Sequence, residues 1–300
     1  MKEYTTIQQD LQNIEDFFVD DDVPESLSNM CNRIGISESD YLGIKNGIIT
    51  PTKQQLEDIY NYSYTRGLYL NEITWQETLD EYRKSNIKVC THGARTYIKG
   101  DIRLDVNNES NDFAEGFYIG QDISQAGMFV GQEPNSSLYF LTFDISDLSV
   151  ASFDVDVNWM LAVGLYRNKL DDYREHPRLK QIADEVDNCD YVLAPIADNK
   201  IFEVIDSFTE GEITDLQCLY ALSATHLGYQ YVLKTQKALD HLEIIHHLYY
   251  CALEKSLYNK ESDIETNTSN NKAIIAKKKY KGQGQYINEI LGDIILDESY

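Results

Sequence analysis

The sequence lacks the features that mark exported, membrane-spanning and metal- or disulfide-stabilised proteins. No run of about 18 apolar residues occurs, and the opening residues MKEYTTIQQDLQ contain no apolar signal region. The five cysteines are scattered, and no CxxC pair suggests a zinc knuckle or a redox couple. We therefore expect a cytoplasmic protein with reduced thiols that does not bind membranes.

Basic residues are also scarce. The 300-residue chain carries 26 Lys and Arg against 50 Asp and Glu, which gives a formal net charge of −24. A surface of this sign repels phosphate groups and argues against nonspecific adhesion to nucleic acids or anionic lipids. The chain also lacks a Walker loop and a GxSxG motif, so neither nucleotide hydrolysis nor serine-hydrolase chemistry is indicated. The hydrophobic content of 42% is that of a globular protein.

Residues 1–85 predict a small, acidic, all-α module. Apolar residues at helical spacing predict a helix over residues 4–18, namely Ile7, Leu11, Ile14 and Phe18. Residues 26–70 then predict three short helices. Ser26 and Ser37 are suited to cap the first two, Asn46-Gly47 to end the second, and Pro51 to open the third.

The rhythm of residues 26–70 resembles the helix-turn-helix domain of phage-repressor-type regulators, through the phrase GISESDYLGIKNG. The charge of the module argues against DNA binding, because residues 1–85 hold 16 acidic and only 7 basic residues. The second helix, which would enter the groove, begins with Glu38 and Asp40 close to its cap, and these would repel phosphates. A packing, dimerising or partner-binding module is the favoured interpretation.

Residues 86–258 predict an α+β domain, because strands and helices follow one another without regular alternation. The predicted strands are NIKVCTHG, SSLYFLTFDI, DYVLAPIA and GYQYVLKT. Among the predicted helices are DVNWMLAVGLYRNKL, FEVIDSFTEG and ITDLQCLYALSAT, and a long amphipathic helix is expected over QKALDHLEIIHHLYYCALEKSLY. The segment EGFYIG is open to two interpretations: a strand of a packed sheet, or an aromatic wall for a flat ligand.

Residues 259–300 form a polar, lysine-rich C-terminal extension. Residues 259–285 are expected to be weakly ordered, and five lysines without an acid fall within 270–285. The basic stretch is either a solvated tail or a contact for phosphate or for the acidic N-terminal segment.

An ordered set of motifs resembles the ADP-ribosyltransferase superfamily, in its poly-ADP-ribose-polymerase and diphtheria-toxin-like branch. The motifs are HGART, EGFYIG with a second aromatic residue eleven positions after its tyrosine, and QYVL. Further phrases, such as APIADN and QYVLKT, resemble one bacterial family of uncharacterised domains that is found in toxin–antitoxin or phage-defence settings. The resemblance covers roughly residues 87–245. It implies a split β-sheet core with flanking helices, and NAD as co-substrate.

The resemblance also implies roles for single residues. His92 would bind a hydroxyl of the adenosine-side ribose, and the backbone of Gly93 would meet the nicotinamide amide. Tyr118 and Phe129 would stack on the two sides of the nicotinamide ring, although the second aromatic residue is commonly tyrosine. Arg95 is a candidate for the pyrophosphate, since guanidinium matches phosphate geometry.

Gln230 departs from the pattern, because the best-known members have glutamate at the start of this strand. That glutamate holds a ribose hydroxyl and stabilises positive charge as the glycosidic bond breaks. A unit charge about 4 Å from that centre is worth up to about 4 kcal/mol at an effective dielectric of about 20, or about a thousandfold in rate. We therefore expect transfer of single ADP-ribose units. Asp112 and Glu115 are candidates for a compensating charge.

Two other constellations are weaker. His246 and His247 suggest a metal, but no carboxylate lies at ligand spacing, so we predict none. Cys90 would share a strand face with His92, yet a buried inert thiol is a simpler interpretation than a nucleophile.

The sequence thus predicts an intracellular mono-ADP-ribosyltransferase that acts as a toxin or phage-defence effector. Its acceptor would be a protein or nucleic acid, and an antitoxin or regulatory protein would be its partner. Two alternatives stay open: a catalytically inert module that binds NAD, ADP-ribose or a partner, and a helix-turn-helix regulator.

Overall fold

The computed structural model describes residues 4–19, 26–83, 85–104, 111–223 and 228–292, and these contain both helices and strands. The predicted α+β class is therefore confirmed. The helices are α1 Ile7–Val19, α2 Leu27–Ile34, α3 Glu38–Lys45, α4 Lys53–Tyr64, α5 Leu70–Tyr82, α6 Ile123–Val130, α7 Val157–Tyr166, α8 Pro177–Asp187, α9 Asn199–Thr209, α10 Asp215–Leu222, α11 Gln236–Asp240, α12 Ala252–Lys279 and α13 Ile287–Ile290. The strands are β1 Ile87–Ala94, β2 Phe117–Gly120, β3 Ser137–Asp144, β4 Val150–Ser152, β5 Tyr191–Pro195, β6 Tyr229–Leu233 and β7 Leu242–Leu248.

The chain divides into two compact units, each assembled from segments that are distant in sequence. The first unit holds Met1–Lys99, Asp122–Asp144 and Leu242–Glu261. The second unit holds Gly100–Gln121, Ile145–His241 and Ser262–Tyr300.

The strands of the first unit are β1, β3 and β7, and both outer strands pair antiparallel with β3. A β-bulge interrupts the β3–β7 register between Phe140 and Leu141. One face of these strands packs against α5 and α6 through a core that includes Trp75, Ile123, Phe140 and Leu248. Helices α5 and α6 are thus fixed to β3 and β7 by a shared core.

The helices of residues 7–64 share a second core with the segment that follows β7. Leu11, Ile44 and Tyr60 are buried in it together with Tyr249 and Cys251. Because these two last residues come from the far end of the chain, the N-terminal helices are an integral part of the first unit.

Local start and stop signals of the helices were predictable. The side chains of Ser26 and Ser37 cap α2 and α3 as expected. Gly47, just after α3, has a φ of 69°, a left-handed conformation that favours glycine. The prediction that Pro51 opens the third helix is wrong by two residues. Helix α4 begins at Lys53, after a capping box that involves Thr52.

The predicted long helix over residues 236–258 is wrong. The chain instead forms the short α11, strand β7 and the start of α12. The β-branched pair Ile244-Ile245 suits a strand, and pairing with β3 satisfies its backbone. The helical interpretation considered only local periodicity and missed this long-range pairing.

The second unit contains the strand order β4-β5-β6-β2. β4 and β5 are parallel, while β6 is antiparallel to both of its neighbours. Helices α7 to α10 bury this sheet in a large apolar core, in which Trp159, Phe208 and Val232 are fully buried. Thr214 caps α10 as predicted.

The C-terminal extension is more ordered than expected. Helix α12 continues to Lys279, and residues after it contact α10. The hydroxyl of Thr214 donates to the carbonyl of Gln283 at 2.6 Å, and Ile287 and Leu291 are buried in the core of the second unit. The acidic run at residues 20–22, proposed as a contact for the lysines, lies outside the described residues.

Within the described part of the chain, none of the helices combines the length and the apolar character that crossing a bilayer requires.

Two carboxyl groups of the first unit are buried, and the described side chains with the largest effects on their pKa values are neutral or acidic. Asp10 of α1 accepts a hydrogen bond from Tyr60, and Glu254 of α12 accepts one from Asn71 at 2.8 Å. Burial raises the pKa of Asp10 to about 6 and that of Glu254 to about 8, and the neighbouring acids Glu77 and Glu72 act in the same direction. The two carboxyls also repel each other.

We predict that Glu254 makes the protein less stable as the pH rises. Its pKa is higher in the folded than in the unfolded state, so its contribution is fully present below about pH 4.5 and is lost as the pH rises through about 8. Each pKa unit corresponds to about 1.4 kcal/mol of unfolding free energy.

Urea unfolding at pH 5 to 9 should show that the unfolding free energy declines more steeply with pH for the wild type than for Glu254→Gln. The control Glu185→Gln removes an exposed carboxylate and should leave the slope unchanged; parallel curves for wild type and Glu254→Gln would contradict the prediction.

Candidate functional site

Tyr118 and Gln230 lie on neighbouring strands of the second unit. In the antiparallel pair β2–β6, Tyr118 is opposite Val232, and Gly120 is opposite Gln230. Alternate residues of a strand point to the same face, and paired residues share a face. The side chains of Tyr118 and Gln230 are therefore diagonal neighbours on one face of this pair.

A buried ion pair lies next to Gln230. Asp112 is 5% exposed and accepts four hydrogen bonds. Arg167 donates two of them to Oδ1, from Nε at 2.9 Å and Nη2 at 2.5 Å. The backbone N–H of Ala197 and the Nε2 amide of Gln230 donate to Oδ2 at 2.9 Å and 3.0 Å. We call Asp112, Arg167, Ala197 and Gln230 the Asp112 network.

The Asp112 network accommodates a carboxylate rather than a carboxylic acid. All four groups that contact Asp112 are N–H donors, so a proton on either carboxyl oxygen would face a donor and not an acceptor. Burial raises the pKa of Asp112 above its ordinary value, and Arg167, the Ala197 amide and Gln230 oppose that rise. The guanidinium of Arg167 also donates to the carbonyl of Ala197 and lies over the ring of Phe202, 4.1 Å from its centroid. The ion pair is therefore locked in one geometry.

The amide of Gln230 has a defined orientation. Its Nε2 donates to Asp112 and, at 3.4 Å, to the carbonyl of Pro195. Both neighbours are acceptors, so the reversed amide would place oxygen against oxygen. The amide oxygen receives no hydrogen bond from the residues that the structure describes, and it is the acceptor that this side chain offers to a ligand.

The ring of Tyr118 is half-buried, and its hydroxyl is held by the backbone of residues 113 and 114. Its hydroxyl donates to the carbonyl of Ala114 at 2.8 Å and accepts from the N–H of Phe113 at 3.2 Å. Burial, with a further contribution from Asp112, raises the pKa of Tyr118, so the phenol stays neutral. Tyr118 and the Asp112 network thus meet through the loop of residues 112–114.

Lys234 fastens this loop to β6. Its ammonium donates to the carbonyls of Phe113 and Glu115, both at 2.7 Å. A Cβ on Gly116 would lie 2.8 Å from the side chain of Val232, so only glycine permits the close approach. Sequence reasoning missed Arg167 and Lys234, because neither belongs to a recognised motif; both bind the loop of residues 112–115.

The other four predicted residues belong to the first unit. His92 of β1 is half-buried and lies opposite Tyr139 of β3, which in turn lies opposite His247 of β7. The rings of Tyr139 and His247 are stacked at 4.7 Å, and the ring of Tyr4 stacks on His247 at 4.8 Å. The centroid of the His92 ring is 6.5 Å from that of Tyr139. His92 is the first ring of a row that crosses three strands.

Gly93 has a packing reason to be glycine. A Cβ there would lie 2.5 Å from the carbonyl oxygen of Ala126 and 3.1 Å from Val130, both in α6. Helix α6 therefore covers the face of β1 to which Gly93 is directed. The side chain of His92 leaves the strand on the opposite face.

Phe129 and Arg95 are at the surface. Phe129 projects from α6 with 70% of its side chain exposed, which is unusual for a phenylalanine. The side chain of Arg95 is 72% exposed, and its Nε lies 3.6 Å from a carboxylate oxygen of Glu133. An exposed guanidinium held by such a long contact is available to an anion.

The structure gives no support for a reactive site at His246-His247 or at Cys90. Burial lowers the pKa of His247 to about 4, and its Nδ1 accepts from the N–H of Tyr4 at 3.3 Å, so the ring is neutral. Burial raises the pKa of the Cys90 thiol, which makes it inert. The described residues contain no group of three or more His, Cys, Asp or Glu with the geometry of a metal site.

The second unit also has a cleft of about 400 Å³ between residues of β4, α7 and α8, among them Ser152, Asp156, Asn158 and Arg178. It shares no residue with the Asp112 network, and a hydrogen bond from Arg178 to Asn158 already crosses part of its wall. We therefore assign the candidate site to the Tyr118–Gln230 face.

Because of the Asp112 network, we predict that glutamate at position 230 destabilises the fold. In Gln230→Glu, a second buried carboxylate would replace the donor that now faces Asp112, and one of the two would retain a proton. We expect a loss of about 1–3 kcal/mol of unfolding free energy at pH 7, because a buried acceptor loses its donor. The pKa of the new carboxyl is raised in the folded state, so the loss should shrink as the pH falls.

Urea unfolding at pH 5 and pH 8 measures this effect. Gln236→Glu is a matched control, since Nε2 of Gln236 donates to Asp240 at 2.9 Å on the exposed surface of α11. That control should cost less than about 0.5 kcal/mol. An equal cost for both variants would show that burial next to Asp112 is unimportant.

The comparisons with known proteins give one match. A search of curated proteins and a search of solved structures found no protein that matches the chain. A family model described as "protein of unknown function (DUF3990)" matches residues 89–244, from the middle of β1 into β7, which is just over half of the chain. This match includes all the predicted site residues, and the chain belongs to the DUF3990 family.

Proposed function

We propose that the protein is an NAD-dependent mono-ADP-ribosyltransferase that acts inside bacterial cells. The observation that carries the proposal is that Tyr118 and Gln230, far apart in sequence, are diagonal neighbours on one face of paired strands, with the Gln230 amide fixed. An aromatic ring beside an oriented hydrogen-bond acceptor suits a ligand in which a flat nicotinamide is joined to a ribose. The order of the motifs HGART, EGFYIG and QYVL supports the same function.

The elements that carry the motifs also support it. His92-Gly93 lies on a strand, Tyr118 on a second strand, and Phe129 on the helix that directly follows that strand. Gln230 lies on a strand paired with that of Tyr118. These positions agree with an ADP-ribosyltransferase-like split β-sheet core, which is part of the proposal.

The proposed reaction breaks the bond between the nicotinamide nitrogen and the anomeric carbon of its ribose. The bonding electron pair leaves with nicotinamide, which departs as a neutral ring, and the acceptor's nucleophile bonds to the same carbon and releases its proton to solvent. In the second unit, Tyr118 would stack on the nicotinamide ring and Gln230 would hold a hydroxyl of its ribose. The resemblance of the sequence alone assigns Phe129 to the same ring, His92 to the adenosine-side ribose, the backbone of Gly93 to the nicotinamide amide, and Arg95 to the pyrophosphate. Orientation would supply most of the rate enhancement.

The charge balance at Gln230 explains why single units rather than polymers would be transferred. The carboxylate of Asp112 is paired with Arg167 and adds no net negative charge beside the ribose, and Glu115 is exposed, so that solvent screens its charge. A neutral amide can hold a hydroxyl, but it cannot activate one as a base for chain elongation.

NAD binding can be tested through the exposed ring of Phe129. Loss of one stacking ring costs about 1–3 kcal/mol, so Phe129→Ala should weaken NAD binding by at least fivefold in calorimetry. Phe17→Ala is the matched control, because Phe17 of α1 is also an exposed phenylalanine, 43% accessible, of the first unit. It should bind NAD like the wild type. If the wild-type protein shows no heat of NAD binding, the proposal is wrong.

A catalytically inert NAD- or ADP-ribose-binding module is the second candidate, and the uncharged Gln230 favours it. Mass spectrometry of a bacterial lysate treated with NAD and the protein distinguishes the two. A gain of ADP-ribose on any macromolecule supports transfer, and binding without such a gain supports the inert module. Separate protease and nuclease digestion of extract labelled with radioactive NAD would identify the class of acceptor.

Regulation of transcription by residues 26–70 is less favoured. Helices α2, α3 and α4 are present, but α3 begins with the exposed acid Glu38 and has Asp40 in its first turn. A toxin or phage-defence role, with an antitoxin or regulatory protein as partner, remains part of the proposal and rests on the family resemblance of the sequence.

A further inference from the structure

The Asp112 network is unusual because a buried ion pair is directed at a neutral amide. Asp112 and Gln230 are 118 residues apart in sequence, and both are almost fully buried. Burying a carboxylate and a guanidinium is costly unless their hydrogen bonds are satisfied, and a pair of apolar residues would often stabilise the fold equally well. A reason other than stability is therefore needed for the pair.

We propose that Asp112, held by Arg167, is a positioning residue for the candidate NAD site, which fixes Gln230 so that its amide oxygen is presented to a ribose hydroxyl. This inference rests on the proposed function. Asp112 and Arg167 would thus contribute to binding through Gln230, without contacting the ligand themselves.

The amide group explains why a positioning residue is needed. The two ends of a glutamine amide have nearly the same size but opposite hydrogen-bonding character, one a double donor and the other an acceptor. Without a fixed partner, Gln230 would present either end. Oδ2 of Asp112 at 3.0 Å and the carbonyl of Pro195 at 3.4 Å are both acceptors, and both select the orientation with the NH₂ group inward.

The contribution of Asp112 is direction rather than charge. Two N–H groups of Arg167 donate to Oδ1, and the guanidinium neutralises the carboxylate. The other oxygen is shared between Gln230 and the N–H of Ala197, which fixes its position. A neutral acceptor at the same place should therefore preserve the orientation of Gln230.

The geometry also limits the ligand groups that Gln230 can accept. A lone acceptor on a fixed side chain favours a donor such as a hydroxyl and rejects a group that offers only lone pairs, because two acceptors would face each other. A sugar hydroxyl satisfies this requirement, and a phosphate oxygen does not.

Two double variants isolate the effect of the acceptor at position 112. In Asp112→Asn/Arg167→Gln, the Asn oxygen can still accept from Gln230 and Ala197, while its NH₂ group donates to the new glutamine. In Asp112→Ala/Arg167→Gln, the acceptor is missing. Both variants lack the ion pair, so a loss of stability caused by its removal is common to the two. Asp206→Asn, which removes the carboxylate of a more exposed ion pair with Lys169 in the same unit, is the control for a general charge effect.

We expect Asp112→Asn/Arg167→Gln to bind NAD within about threefold of the wild type, and Asp112→Ala/Arg167→Gln to bind at least tenfold more weakly, since it loses one oriented hydrogen bond. In assays of NAD turnover, the difference should appear in KM rather than kcat. Urea unfolding of each variant shows whether it is folded. Equal affinities of the two folded double variants would overturn the inference.

A spectroscopic measurement on the wild type covers the case in which a variant does not fold. The side-chain NH₂ resonances of Gln230 in ¹⁵N-labelled protein should be protected from exchange, and they should change little when NAD is added. A large shift of these protons on NAD binding would mean that the NH₂ group faces the ligand, which would overturn the inference while leaving the proposed function intact. A wild type that does not bind NAD would remove the proposed function and this inference together.

Discussion

The buried contact between Asp112 and Arg167 connects distant segments of the second unit. This contact joins the loop before β2 to the end of α7, and through Ala197 and Gln230 it also reaches the segment after β5 and the strand β6. Four elements that are separate in sequence therefore meet at one carboxylate. Because each partner is a donor, the removal of any one of them takes at least one hydrogen bond away from a buried carboxylate.

The structure gives a physical reason for the departure at position 230. A glutamate there would share a buried space with Asp112, whereas a glutamine supplies the donor that Asp112 requires. Gln230 is, in this fold, the hydrogen-bond partner of an acid at a distant position. The residue types at positions 230 and 112 therefore have to be considered together.

Features that depend on neighbours in sequence were predictable, and those that depend on distant partners were not. Ser26, Ser37 and Thr214 cap their helices as expected, because a cap is a contact between residues three positions apart. Local periodicity predicts a helix where the chain forms strand β7, because it does not detect the pairing of β7 with β3.

The same limit applies to the candidate site. The residues His92, Tyr118, Phe129 and Gln230 could be proposed from their motifs. Arg167 lies 55 positions from Asp112 and belongs to no recognised motif, so only the fold reveals their contact. The packing of α6 over Gly93 could not be foreseen either, because it depends on a helix that the sequence left unassigned.

The pairing of the N-terminal segment with β7 has a consequence for how the protein folds during its synthesis. The N–H of His247 donates to the hydroxyl of Thr5, and the N–H of Thr5 donates to the carbonyl of His247, across 242 positions of chain. A ribosome releases the residues of the first helices long before it adds those of β7. The first unit can therefore close only after β7 has been made, and contacts of such long range form slowly. Until that moment, the apolar faces of the N-terminal helices lack Tyr249 and Cys251, which complete their core. Apolar surface that stays exposed during synthesis in this way is prone to aggregation.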